Sequence, residues 1–410
     1  MRRPKGHGLN PHFLHQAHKI VADERSKRLY KLPFIPITMV YWVEQEFNRL
    51  LSLADVKING SRPWDMQVHD KRLYNRLLTS GSMGLGESYV DGWWDCKKLD
   101  ELFYRILHAE LDGKFRINAG IILQSIKSRL FNLQSSKKAF EVGEKHYDIG
   151  NDLFTSMLDK RLTYTCGYWK NARNLDKAQE AKLDLVCKKL KLKPGQKVLD
   201  IGCGWGSFMK FAAEKYKVKC VGFSISREQT ELGRKLCKGL PIEFRLQDYR
   251  EINEKFDHIV SLGMFEHVGP KNYIKYMQVA NSCLKDDGLF LLHTIGSAEI
   301  KKIADPWIEK YIFPNGYIPD MKNISESIDR LFVMEDWHNF GAYYDPTLMA
   351  WFNNFEKNWN KLKDNYNERF HRMWRYYLLS CAGAFRARKI QLWQIVLSKK
   401  GVPGGYISVR

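Results

Sequence analysis

The chain predicts a doubly wound α/β fold preceded by a small α+β domain, and three observations carry that expectation. Between Val198 and His293 five short apolar runs alternate with amphipathic stretches: Val198 to Asp200, Val218 to Ser224, Ile242 to Leu246, His258 to Leu262 and Phe290 to His293. Such a rhythm packs helices on both faces of a parallel sheet and places ligand sites at the carboxyl ends of its strands. The first run stops at Asp200 and gives way to Gly202, Gly204 and Gly206, a strand turning sharply into a helix. A last run, Ile390 to Ser398, reads as an antiparallel strand at the edge of the sheet.

Taken in order, residues 1–36 are a basic tail, read as a mobile arm or a short surface helix. Residues 37–111 form the small domain, where Val40, Val43, Phe47, Leu50 and Leu51 repeat at helical spacing and Asn59-Gly60 marks a turn. Within it Gly81-Ser82-Met83-Gly84-Leu85-Gly86 reads as a tight loop leading into a helix that ends at Trp93 and Trp94. That corner serves either to pack against the helix Leu99 to Leu107 or to dock on lipid or on another domain. Residues 112–137 interleave Lys114, Arg116, Lys127, Arg129 and Lys137 with Ile and Leu, a basic linker that is solvated or lies on an anionic bilayer. Residues 138–410 are the catalytic domain. Ala178, Ala181, Leu185 and Val186 mark the helix before its first strand. Aromatic and apolar positions from Phe352 to Tyr377 step by three or four, which predicts one long helix whose face is core or the wall of an acyl-chain channel.

Spacing at the glycine turn narrows the ligand. A nicotinamide or flavin site has G-x-G-x-x-G and an acid about 20 residues further on for the ribose. Here the pattern is G-x-G-x-G, and the next strand ends in Ser224 and Ser226 with no acid. S-adenosylmethionine suits these residues better, because its amino group can meet Asp200 and its carboxylate the turn and the helix from Ser207 to Tyr216. A purely structural turn is the competing reading.

Lys and Arg number 66 against 46 Asp and Glu, a net charge of +20 that favours a phospholipid surface or nucleic acid as partner. No recognised DNA or RNA module accompanies the charge, so the lipid surface is expected and nucleic acid is not. Eight cysteines are scattered singly, without the short Cys/His spacing that zinc needs, so no metal is expected and reduced thiols suggest the cytoplasm. The run Pro33 to Val43 is too short and too broken by proline to span a bilayer, which leaves a soluble or peripheral protein as the expectation.

Chemistry-bearing residues gather at the predicted strand ends. Gln247-Asp248-Tyr249 follows the third strand, Met264-Phe265-Glu266-His267-Val268-Gly269 the fourth, and His293-Thr294-Ile295-Gly296-Ser297 the fifth. Together with H-Y-D-I-G-N-D from His146, Y-T-C-G-Y-W from Tyr164, L-D-I-G-C-G-W-G from Leu199 and W-H-N-F-G-A-Y-Y-D from Trp337, these motifs closely resemble the bacterial cyclopropane-fatty-acyl-phospholipid synthases. The resemblance runs from about Asn59 to the last strand and leaves residues 1–36 outside it.

What the resemblance implies is a Rossmann-like methyltransferase domain and a methylene transfer from S-adenosylmethionine to the cis double bond of an acyl chain esterified in a phospholipid. It implies a carbocation, a bound bicarbonate ion as the base that removes a proton, a homodimer, and work at the inner face of the cell membrane. By motif match the bicarbonate would be held by Glu266, His293 and Tyr344 and by the backbones at Cys166 and Ile295. The cofactor would meet Tyr164 and Thr165 at its methionine end, Gly202 and Gly204 at the turn, Ser226 and Gln229 near the ribose, and Gln247 and Asp248 near adenine. A related lipid or amine methyltransferase that closes no ring is the alternative. Tyr168, Trp169 and Phe265 are candidates to steady a cation through their ring faces.

Overall fold

A computed structural model describes residues 37–111, 150–298 and 305–410. The tail, the basic linker and most of the H-Y-D-I-G-N-D motif lie outside the described residues.

Helix α1 (Ile37–Leu53) buries Val43, Phe47, Leu50 and Leu51, the face its spacing predicted. After a turn in which Asn59 takes φ +53°, a short strand β1 (Gln67–Val68) leads to α2 (Arg72–Val90). Strand β2 (Trp94–Asp95) pairs antiparallel with β1, and α3 (Leu99–His108) follows. The glycine-rich stretch that the sequence predicted as a loop lies inside α2, which kinks at Gly81 (φ +53°, ψ −129°). Its glycines answer to close approach: a Cβ on Gly86 would stand 2.4 Å from Cδ1 of the fully buried Trp307, and one on Gly84 2.3 Å from the Arg76 carbonyl oxygen.

The remainder runs α4 (Asn151–Met157), α5 (Leu175–Lys189), β3 (Lys197–Ile201), α6 (Ser207–Tyr216), β4 (Lys219–Ser224), α7 (Arg227–Leu236), β5 (Ile242–Leu246), β6 (Phe256–Leu262), α8 (Tyr273–Cys283) and β7 (Leu284–Gly296). Then come α9 (Pro306–Tyr311), α10 (Met321–Ile328), β8 (Val333–Asn339), α11 (Tyr344–Leu362), α12 (Glu368–Arg386) and β9 (Gln391–Ser398). Seven strands form one sheet in the order β5-β4-β3-β6-β7-β9-β8. The first five are parallel, while β9 runs antiparallel to both β7 and β8. Apolar side chains of the sheet fill two cores, one on each face, as a doubly wound sheet requires.

Two further expectations need correction. The last strand is not at the edge; β8 lies outside it. Glu335, Asp336, His338 and Asn339 interrupt the apolar pattern of β8, a composition suited to an edge and invisible as a buried strand. The predicted long aromatic helix is two helices, α11 and α12, folded back on each other. The Asn367 side chain accepts from the Phe370 N–H and starts the second one. Tyr344 at the start of α11 therefore stacks on Phe385 near the end of α12.

The small N-terminal unit is tied to α12 by Arg372, which donates to the carbonyls of Tyr89 (2.7 Å) and Trp94 (3.0 Å) and to Asp95 (2.8 Å). Trp307 of α9 fills the space between, its ring 4.5 Å from that of Tyr376. Gly86→Ala therefore forces Trp307 to move and is expected to lower unfolding stability by roughly 1–3 kcal/mol, the usual cost of overpacking a filled site. Chemical denaturation checks this, and an unchanged midpoint would show that the α2–α9 contact yields freely.

Candidate active site

β3 lies between β4 and β6, where the strand order reverses direction, and this opens a crevice at its carboxyl end. The turn leaving it needs glycine twice over. Gly202 and Gly204 hold φ of +86° and +53°, and a Cβ on Gly204 would meet no atom within 4 Å, so the backbone there stands open to a ligand. Gly206 (φ +81°) serves packing, since its Cβ would fall 2.5 Å from Phe244. Beyond it the first turn of α6 presents unpaired N–H groups.

Asp200, one residue before the end of β3, is almost wholly buried and its Oδ1 has no partner. Burial pushes its pKa up to about 7, against the pull of the Lys182 ammonium. Lys182, on α5, is fully buried and donates to Thr165 Oγ1 at 2.7 Å; burial lowers its pKa to about 8.

Thr165 belongs to a strap, residues 163–169, fastened at both ends. The Asp159 carboxylate accepts from the Thr163 N–H (2.8 Å), and Gln179 Nε2 donates to the Thr165 carbonyl (2.7 Å). Further along, Thr347 Oγ1 accepts from the Gly167 N–H (3.1 Å) and the Trp169 indole (2.8 Å). The Tyr164 and Tyr377 hydroxyls are 2.8 Å apart, which closes the strap against α12.

At the carboxyl ends of β4 and β5 the predicted contacts are partly occupied. The Ser226 hydroxyl caps α7 by accepting from the Gln229 N–H at 3.3 Å. Asp248 accepts from the Arg250 N–H (2.9 Å) and from Nη1 of the same residue (2.8 Å). The Gln247 N–H donates to the Ser224 carbonyl (3.1 Å), holding this loop to the end of β4.

On the other side of β3, Glu266 sits in a one-turn helix after β6, and its Oε1 accepts from the Ile295 N–H at 2.6 Å. Its Oε2 is buried without a partner, and burial pushes the carboxyl up to about 7. His293, on β7, is fully enclosed; its Nδ1 lies 3.3 Å from Gln394 Nε2, and its Nε2 has no partner. Burial, reinforced by Lys182 and Lys189, holds this imidazole neutral, well below its usual pKa. Burial raises the Tyr344 phenol far above its ordinary range, with Cys166 and Glu266 close enough to add to it. Glu266, Tyr344 and Cys166 are thus electrostatic neighbours, while His293 lies two residues before Ile295, whose N–H Glu266 takes.

The Cys166 thiol donates to the Gly167 carbonyl (3.2 Å), and burial pushes its pKa up strongly, so it is no nucleophile. Phe265 is a core residue, stacked on Tyr273 at 4.0 Å. Tyr168 packs against Phe340 and Tyr343, and Phe340 in turn touches the His293 ring. Ile295 does not offer a spare N–H, because Glu266 takes it.

Lys182, Gln179, Thr347 and Gln394 were not singled out from sequence. Their signal is a polar residue inside an apolar pattern: Lys182 four residues after Ala178 on the inner face of α5, and Gln394 within the buried run of β9. Among the described residues no cluster of three or more potential metal ligands occurs, and no helix is long and apolar enough to cross a membrane.

Residues 134–395 match the family model of mycolic acid cyclopropane synthetase. The chain is 54% identical to the cyclopropane-fatty-acyl-phospholipid synthase of Escherichia coli over 358 residues, which cover 87% of this chain and 94% of that one. A solved cyclopropane synthase of Mycobacterium tuberculosis superposes with a TM-score of 0.61 at 31% identity, over 63% of this chain and 98% of its own. A mycolic acid cyclopropane synthase complexed with SAH and CTAB aligns with a TM-score of 0.60 at 32% identity, over 63% and 98% respectively. With the glycine turn, the buried Asp200 and the strap all at the carboxyl end of the sheet, the chain belongs to the cyclopropane synthase family of S-adenosylmethionine-dependent methyltransferases.

Proposed function

We propose that this enzyme converts the cis double bond of an unsaturated acyl chain in a membrane phospholipid to a cyclopropane, with a bicarbonate ion held beside Glu266 and His293. The observation that carries this reading is the pair of buried polar atoms without partners, Glu266 Oε2 and His293 Nε2, at the carboxyl ends of the adjacent strands β6 and β7, with Tyr344 an electrostatic neighbour of Glu266. Natural folds rarely leave such atoms unsatisfied except where a ligand completes them.

When bound, S-adenosylmethionine supplies an electrophilic sulfonium methyl. Asp200 would hold its amino group, Gly202, Gly204 and the start of α6 its carboxylate, with Tyr164 and Thr165 covering the methionine end. The alkene π electrons take up the methyl as its bond to sulfur breaks and S-adenosylhomocysteine leaves, the acyl chain carries the resulting cation, and transfer of one proton from the new methyl to the bound anion closes the ring. Water would trap that cation, so the site has to be dry. The strap fastened by Lys182, Gln179, Thr347 and Tyr377 excludes it. Burial holds the Glu266 carboxyl up at about 7, so it can share a proton with an adjacent anion and the two would titrate as a unit. Bicarbonate brings a small, weak base; His293 and Tyr344 would donate to its oxygens. The Ile295 N–H is spent on Glu266 Oε1 and acts on the anion only by orienting that carboxyl.

The net charge of +20 and the exposed Tyr41 and Trp42 on α1 support an anionic phospholipid surface as partner. The same reading takes the assembly as a homodimer and its place of work as the inner face of the cell membrane, both following from the resemblance, with nucleic acid no partner.

Vesicles of unsaturated phospholipid incubated with labelled S-adenosylmethionine are expected to yield acyl chains that gain one CH₂ and lose the alkene by mass spectrometry. A methylated product that keeps its double bond would leave a methyltransferase without ring closure. Glu266→Gln is expected to cut turnover by about 10²-fold or more while cofactor affinity holds. Stability gives a second measure of the same group. Because the folded carboxyl titrates near 7 and the unfolded one near 4.5, the native state binds the extra proton, and wild-type stability falls as pH rises across that interval. The Gln variant escapes this loss, so its advantage in melting temperature grows from pH 4.5 to 7. A constant difference would mean that Glu266 is ionised in the folded protein.

A further inference from the structure

β7, β9 and β8 are in a register that sets His293 opposite Gln394 and Gln394 opposite His338, a row of three side chains on one face of the sheet. Gln394 is wholly buried, and its amide Nε2 lies 3.3 Å from His293 Nδ1. At the far end of the row the Lys189 ammonium lies 3.1 Å from His338 Nδ1, and Lys189 is in turn 3.6 Å from Asp336. Phe340 packs against both imidazoles, 6.0 Å from His293 and 4.9 Å from His338.

A neutral imidazole carries one proton, and the hydrogen bond at one nitrogen decides where it sits. An amide N–H₂ can only donate, so His293 Nδ1 accepts and the proton resides on Nε2. The reversed amide would put Gln394 Oε1 on His293 and strand the N–H₂ group. As placed, only the carbonyl oxygen Oε1 lacks a partner. Buried donors without partners are the rarer of the two, which favours the orientation described. Lys189 imposes the same tautomer on His338 from the other side.

We propose that Gln394 is a positioning residue that fixes His293 as the Nε2–H tautomer, so that His293 presents a hydrogen-bond donor to the oxyanion and has no lone pair free to act as a base. This inference rests on the proposed role of His293 for what the donor meets, but the tautomer is a property of the protein alone. It also explains why the site needs a separate base: the imidazole lone pair is already taken by the amide.

The test is long-range ¹⁵N–¹H correlation NMR on full-length protein labelled at histidine, with His293→Gln used only to assign the His293 signals. The wild-type enzyme is expected to show His293 protonated at Nε2 across neutral pH. Gln394→Glu places an acceptor opposite Nδ1 and is expected to shift the proton to Nδ1. Turnover should then fall by at least about tenfold with little change in S-adenosylmethionine affinity, since a wrong tautomer removes the donor but not the fold. Gln394→Leu, the apolar alternative should the Glu variant not fold, is expected to show both tautomers. A wild-type His293 protonated at Nδ1, or one that keeps Nε2–H in both variants, overturns the proposal. If the tautomer is as expected but wild-type enzyme makes no ring product from vesicles, the positioning role stands and the functional reading fails.

Discussion

Asp200 Oδ1, Glu266 Oε2 and His293 Nε2 are withdrawn from water without a partner in the described chain, each at the carboxyl end of a neighbouring strand. Leaving such an atom unsatisfied costs about 1–3 kcal/mol, so their concentration in one place is a standing penalty that the rest of the fold sustains. The sheet supplies the position: β3, β6 and β7 are adjacent and parallel, and their ends meet at the point where strand order reverses. Around them the strap, residues 163–169, is hydrogen-bonded in place by Lys182, Gln179 and Thr347.

Two features do the holding. Lys182 is buried beside Asp200 and tethers Thr165, so the positive charge that steadies the carboxylate also fastens the strap above it. Thr347, one turn after Tyr344 on α11, fastens the other end of the strap through Gly167 and Trp169. Glu266 and Asp200 both titrate near neutrality because burial outweighs the favourable contacts they retain. Carboxyls shifted in this way by burial cluster at functional sites in proteins generally. The aromatic hairpin of α11 and α12 completes the enclosure, and it joins the catalytic sheet to the N-terminal unit through Arg372 and Trp307.

Much of this was legible in the chain. The five parallel strands, the helix Ser207–Tyr216 and the helix beginning near Leu99 fall where periodicity and the glycine turn put them, because local pattern and burial agree there. Legibility failed where tertiary contact overrode local preference. Gly84 and Gly86 have the composition of a loop, yet they sit in a helix because Arg76 and Trp307 come too close for any side chain. β8 carries acids and an imidazole and pairs only as an edge, so no apolar alternation marked it. At the site, Glu266, His293 and Tyr344 were singled out through motif order, whereas Gln394 and Lys182 depend on which strand or helix face turns inward. That is set by register and packing, and neither is written in the spacing of one segment.

The role proposed for an inorganic oxyanion beside Glu266 and His293 is to take the proton. Turnover measured against bicarbonate concentration in carbon-dioxide-free buffer tests it most directly. Activity is expected to collapse when bicarbonate is removed, to return on its readdition in saturable fashion, and not to return in Glu266→Gln. Full activity in its absence would contradict the account and place the base within the protein or on the substrate.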